Sequence, residues 1–172
     1  MKKVLKISIP ILILVLITFM GYKVITKITH KREVAEHIKT IPPFSYPSIY
    51  GKLFTNKDLK DNTPTLFIYF NSECEHCQSE ASQIQENITN FKNFQLVFVS
   101  FEEKNKIIAF AKKYKLDSYD NITFLLDKQV TFSTTFDVNS LPTIILYNKN
   151  RDLIEKIKGQ TKVETILKKL KQ

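Results

Sequence analysis

The sequence predicts an α/β fold, a mixed central sheet flanked by helices on both faces. Three observations predict it. Short continuous runs of apolar, aromatic and β-branched residues recur along the chain, as in strands buried on both sides. Longer stretches with helical spacing separate these runs, which is the signature of a sheet covered by helices. The last strand-like run follows its predecessor across a tight polar turn, so the sheet closes with a hairpin. At 43% apolar and 12% aromatic residues, the chain of 172 can bury the core of one domain and carry an accessory segment.

The elements follow in order. "IPPFSYP" (41–47) stops any helix, because Pro42, Pro43 and Pro47 fix φ and remove donors, and the domain boundary is placed there. "FSYPSIYGKLF" (44–54) reads as two extended segments bent around Gly51, and "TNKDLK" as one helical turn capped by Thr55. "TLFIYF" (65–70) is a buried strand, and "CEHCQSEASQIQENITNF" (74–91) a helix through Ala81, Ile84 and Ile88. "FQLVFVSF" (94–101) is again a strand. It precedes the amphipathic helix "EKNKIIAFAKKYKL" (103–116), with Ile107, Ile108, Phe110, Ala111 and Tyr114 toward the core. "ITFLLD" (122–127) is a strand, "KQVTFSTTF" (128–136) a short helix, "LPTIILY" (141–147) a strand, and "LIEKIK" (153–158) a strand of alternating polarity. After Gly159 comes a last helix, 161–170, with Thr161 and Glu164 spaced as a capping box.

The net charge of +9 is unevenly placed. Residues 1–40 hold eight Lys/Arg against two Glu, whereas 41–172 hold eighteen against fifteen acids. A near-balanced globular part argues against a nucleic-acid partner. In the leader, Lys2, Lys3 and Lys6 precede sixteen uncharged residues, Ile7 to Tyr22. As a helix these span about 24 Å, and Val24 and Ile25 with snorkelling lysines extend them toward the roughly 30 Å hydrocarbon core. No small-residue cleavage site follows, so the expectation is an uncleaved anchor over 1–28, a polar tether over 29–40 and a domain over 41–172. Lysines flank both ends of the span, so charge alone does not orient it. Single anchors of this kind place the bulk of the chain outside the cytoplasm, and an extracytoplasmic domain in a bacterial envelope is the expectation.

Cys74 and Cys77, in "ECEHC", are the only cysteines. Haem attachment needs His directly after the second cysteine, where Gln78 stands. Zinc needs a second ligand pair, and the other histidines, His30 and His37, lie in the leader, so neither metal nor cofactor is expected. A purely structural disulfide closing so short a loop would add little stability. A redox dithiol suits the setting. Cys74 directly follows a strand at the first turn of a helix, where unpaired N–H groups favour a thiolate. Cys77 sits one turn on, where it can resolve a mixed disulfide.

Together "PPFSYPSIYGKLFTNKDLK", "TLFIYFNSECEHCQSE" and "FDVNSLPTIILYNKN" resemble the thioredoxin superfamily, and within it the membrane-anchored TlpA/ResA-type thiol-disulfide oxidoreductases. The resemblance spans roughly 41–172. It implies a thioredoxin fold with an N-terminal β-hairpin extension. It also implies a cis Leu141–Pro142 bond beside the cysteines, with Leu141, Pro142 and Thr143 binding an extended substrate strand. Glu80 occupies the place of a glutamate common in such members. Three positions depart from the pattern: Glu73 replaces the usual Trp, Ile68 the buried acid of many thioredoxins, and Ser82 the helix proline. A protonated His76 would stabilise a Cys74 thiolate, as in DsbA-like oxidants, whereas Glu73 and Glu75 oppose it.

The expected function is therefore thiol-disulfide exchange on protein disulfides, in the reductase direction, with Cys74 as nucleophile and Cys77 as resolving thiol. By resemblance, electrons come from a membrane-embedded thiol carrier, and substrates are envelope proteins, apocytochromes among them. Two alternatives stand beside it. A peroxiredoxin-type peroxidase needs Thr and Pro just before its cysteine, and 69–73, "YFNSE", has neither. A non-enzymatic binding module would use the sheet edge or the Pro142 groove.

Overall fold

The computed structural model describes residues 16–170, apart from 24, 27, 30–32 and 34. The described residues part into two units between His37 and Ile38. In the first, residues 16–23 are helical, and Leu16, Ile17, Phe19, Met20 and Tyr22 are exposed. No helix among the described residues is long and apolar enough to cross a membrane. Much of the apolar run expected to form the anchor, residues 7–15, lies outside the described residues.

The second unit is built on β3 (Thr65–Tyr69), whose five residues are all buried. Such β-branched and aromatic residues suit a strand with neighbours on both edges and layers on both faces. β3 pairs in parallel with β4 (Gln95–Ser100) and antiparallel with β6 (Thr143–Tyr147). β5 (Ile122–Leu126) extends the sheet beyond β4 in parallel, and β7 (Leu153–Lys158) lies antiparallel beyond β6. The order β5-β4-β3-β6-β7 is the mixed sheet that the residue pattern predicts.

Alternation along the strands makes two cores. Leu66, Ile68, Leu96, Phe98, Ile144 and Leu146 face one way. They meet α1 (Glu75–Glu86) through Ala81 and Ile84, α2 (Lys104–Lys113) through Ile107 and Phe110, and α4 (Val163–Leu170) through Val163 and Ile166. Phe67, Tyr69, Val97, Val99, Ile145 and Tyr147 face the other way, against Phe132 and Phe136 of and beside α3 (Thr131–Thr135). An N-terminal hairpin completes that layer. Its strands, β1 (Ser45–Pro47) and β2 (Leu53–Thr55), turn at Gly51, whose φ of +88° lies in the left-handed region that glycine enters at least cost. Phe44, Tyr46 and Phe54 pack inward from the hairpin, and Ile49 donates its N–H to the Phe124 carbonyl at 3.0 Å, covering part of the β5 edge.

Three local expectations are corrected. The packed domain starts at Ile38 rather than Ile41, because Ile38 is buried and its carbonyl accepts the Tyr147 hydroxyl at 3.0 Å. The Lys39 carbonyl likewise accepts the Leu153 N–H at 2.8 Å. The helix predicted through residue 91 ends at Glu86, and Ile88–Phe91 forms a separate 3-10 turn. Asn87 causes the break, turning its side-chain amide back to the Gln83 carbonyl at 2.9 Å. At the last helix Thr161 does not open a capping box. The helix begins at Val163, and the Thr161 N–H is taken by Glu80 at 2.9 Å. The Thr55 cap forms as predicted, as a reciprocal box with Asp58.

Candidate functional site

The loop 70–74 leaves the end of β3, and its polar residues keep it from continuing the strand. Asn71 shapes it: its side chain accepts the Glu73 N–H at 2.9 Å and its carbonyl accepts the Cys74 N–H at 3.3 Å. Gln78 reaches back from the helix to the Ser72 carbonyl at 2.8 Å. Cys74 then stands as the N-cap of α1, with extended backbone (φ −78°, ψ 118°), and its carbonyl accepts the Gln78 N–H at 3.0 Å. Its sulfur therefore lies at the positive end of the helix dipole.

The two cysteines have different surroundings. Cys74 is half-buried and its thiol donates to the Leu141 carbonyl at 3.9 Å, across 67 residues of chain. Cys77 is 2% exposed, inside the helix-side core. Burial pushes its thiol up to about 12, against the pull of the Asn71 N–H; the Cys74 sulfur and the Glu102 carboxylate add to the push. Leu141–Pro142 is cis, as the resemblance implies, and the Pro142 carbonyl accepts the Gly159 N–H at 2.8 Å. Among the described residues no His/Cys/Asp/Glu cluster could hold a metal ion.

Of the remaining candidates, His76 is exposed and its Nδ1 lies 3.3 Å from Gln160 Oε1. The Gln160 amide nitrogen donates to Ser79 Oγ at 2.6 Å, which orients its oxygen toward the imidazole. Glu75 is exposed at the first position of α1. Thr143 opens β6 fully buried, with its hydroxyl on the Ser140 carbonyl at 2.7 Å, so its side chain does not face the groove expected for substrate. The opposing charge expected from Glu73 is paired: Lys106 reaches it at 2.5 Å and holds its carboxyl below the usual range. Lys106, Glu102 and Gln160 gave no signal in the sequence, since each is an ordinary polar residue on a connection or helix start.

Glu80 lies one turn beyond Cys77 and is 1% exposed. One oxygen accepts the Thr161 N–H, and the other finds no hydrogen-bond partner among the described residues. Burial raises its carboxyl from 4.5 to about 7, with the Thr161 N–H acting in the opposite sense. An acid whose folded value is raised contributes stability fully below its unfolded value and loses it as pH climbs through the folded one. Wild-type stability is therefore expected to fall on this account between pH 4.5 and about 7, by on the order of 3 kcal/mol. Glu80→Gln keeps an acceptor for Thr161 and should flatten that slope in urea unfolding across the range. Equal slopes in both proteins would refute the buried-acid account.

Residues 38–156 match the AhpC/TSA family. The thiol-disulfide oxidoreductase ResA of Bacillus thuringiensis is 28% identical over 166 residues, covering 93% of each chain. Among solved structures, a secreted Mycobacterium tuberculosis disulfide oxidoreductase homologous to Escherichia coli DsbE superposes with a TM-score of 0.64 at 16% identity, covering 79% of this chain and 97% of that one. The M. tuberculosis peroxidoxin BcpB superposes at 0.66 with 19% identity, covering 77% and 94%. At such identities these structures share the fold alone.

Proposed function

Because the chain belongs to the AhpC/TSA family of the thioredoxin superfamily, we propose that it is a thiol-disulfide oxidoreductase whose reaction runs through Cys74 and Cys77. The observation that carries this reading is the asymmetry of the pair. One sulfur is half-exposed at a helix N-terminus, and the other is buried one turn away with its thiol pushed up. In the reductase direction the Cys74 thiolate attacks one sulfur of a substrate disulfide. A mixed disulfide forms and the substrate's second sulfur leaves as thiolate. Cys77 then gives up its proton and attacks Cys74, forming the Cys74–Cys77 disulfide and releasing the first substrate sulfur. Two electrons pass to the substrate, and a carrier dithiol then supplies two more, reducing the Cys74–Cys77 disulfide as it becomes a disulfide itself.

Glu80, titrating near neutrality one turn from Cys77, is suited to receive that proton. The Leu141 carbonyl beside the Cys74 sulfur supports a reading in which an extended substrate segment binds along this stretch. Tethering by the leader is part of the proposal, with an extracytoplasmic domain acting on envelope proteins. The lysine-flanked apolar run and the exposed apolar side chains at 16–22 support it.

A peroxidase reading is less well served. Such an enzyme holds peroxide with an arginine beside its cysteine. Arg151 instead binds Asp61 at 3.0 Å, in the turn after Tyr147, which pairs with Thr65 at the end of β3 away from Cys74.

Insulin reduction with dithiothreitol tests the proposal. The full-length chain is expected to accelerate precipitation of the insulin B chain well beyond dithiothreitol alone. No acceleration overturns the enzyme reading, and peroxide consumption in its place would install the alternative.

A further inference from the structure

A lysine on an edge strand ordinarily points its ammonium to water and keeps other strands away. Lys156, on the edge strand β7, does not. Its register partner Ile145 belongs to the hairpin-side core, and its own side chain is 14% exposed. The amine turns onto the segment between α3 and β6. It donates to the Phe136 carbonyl at 3.4 Å, the Asp137 carbonyl at 2.9 Å and Asp137 Oδ2 at 2.8 Å, so three oxygens take its three protons. Asp137 stands at φ +51°, a left-handed conformation that costs a non-glycine residue energy and persists where neighbours hold it. Further along β7, Lys158 donates its amine to Asn139 Oδ1 at 2.8 Å, and beyond it Gly159 donates its N–H to the Pro142 carbonyl at 2.8 Å. The Thr143 hydroxyl donates to the Ser140 carbonyl at 2.7 Å. β7 and the residue after it thus hold the segment 136–142 at both ends. Leu141, within what they hold, presents its carbonyl to the Cys74 sulfur at 3.9 Å.

We propose that Lys156 is a positioning residue for the polypeptide that carries the substrate disulfide. By holding Phe136 and Asp137 it fixes the course of the chain into Leu141, the backbone against which an extended substrate segment pairs. The inference rests on the thiol-disulfide exchange reading and deepens it. Lys156 forms and breaks no bond in the reaction and acts only through the segment it holds. Its effect therefore falls on substrates that bring a backbone to Leu141. A small disulfide that meets the Cys74 sulfur alone is spared.

The test uses the full-length chain carrying Cys77→Ala, so that a mixed disulfide formed at Cys74 persists. Two probes share one leaving group: a short uncharged peptide whose single cysteine is a pyridyl disulfide, and dithiodipyridine, which has no backbone. With either, the Cys74 thiolate attacks one sulfur, a new S–S bond forms, and pyridinethiolate leaves and is read by its absorbance. Lys156→Met keeps the side chain's length and removes its donors. It is expected to lower the second-order rate with the peptide about fivefold or more, and to leave the rate with dithiodipyridine within about twofold. Asp137→Asn tolerates the left-handed conformation and removes the carboxylate charge, and should lose about twofold with the peptide alone. It carries the test if circular dichroism shows that Lys156→Met does not fold. Equal slowing with both probes would place the damage at Cys74 itself, and an unchanged peptide rate would leave the clamp without effect on substrate. Either result overturns the proposal. A wild type inactive on insulin would sink the functional reading, whereas these single attacks need no turnover and decide the positioning separately.

Discussion

Cys74→Ala is expected to reduce insulin turnover to below about 1% of wild type, with the fold unchanged by circular dichroism. The expectation is large because Cys77 cannot stand in. It is 2% exposed, and its thiol is pushed up to about 12, so at neutral pH almost none is thiolate where substrate could reach it. Removing Cys74 costs little packing, since its side chain is small and only half-buried. The reciprocal change, Cys77→Ala, should behave differently. Cys74 can still attack once, and the mixed disulfide should accumulate, visible as a covalent adduct on a non-reducing gel. Substantial turnover by Cys74→Ala would assign the attack elsewhere and remove the basis of the mechanism.

Phe67→Ala is expected to destabilise the domain by about 4 kcal/mol, enough to lower the urea midpoint by roughly 2 M. Phe67 sits in the central strand with no exposure. Its ring lies 5.4 Å from Phe44, 5.9 Å from Phe132, 5.3 Å from Phe136 and 6.0 Å from Tyr147. Truncation therefore opens a cavity where the sheet, α3 and the N-terminal hairpin meet, and aromatic pair contacts are lost with the buried area. Tyr50, 76% exposed at the hairpin tip, is the control: Tyr50→Ala should stay within about 0.5 kcal/mol. A loss under about 1 kcal/mol for Phe67→Ala would mean that the hairpin and α3 collapse onto the gap or contribute little.

The residue pattern alone carried the architecture. "TLFIYF", "FQLVFVSF" and "LPTIILY" are too uniformly apolar and β-branched to be anything but strands covered on both faces, and the intervening stretches keep helical spacing. The cysteine pair was equally legible, because two cysteines three apart after a buried strand leave few chemistries open. Proline and glycine placed the hairpin through local geometry that any context must respect.

Element ends were less legible. The end of α1 turned on where the Asn87 side chain bonds, and the start of α4 on whether Glu80 takes the Thr161 N–H. Neither partner choice has a periodicity. Electrostatics was decided entirely by tertiary contact. Sequence placed Glu73 and Glu75 alike, as negative charges flanking Cys74, yet Lys106 pairs with the first from 33 residues away. Glu102 reaches Ser72 across 30 residues, and Gln160 reaches His76 across 84. Coulomb and hydrogen-bond energies depend on distances of a few ångströms and on burial, and a chain sets those only when distant segments pack. Hydrophobic periodicity, by contrast, is a property of neighbours along the chain, so it reads out the sheet and helices before any of them meet.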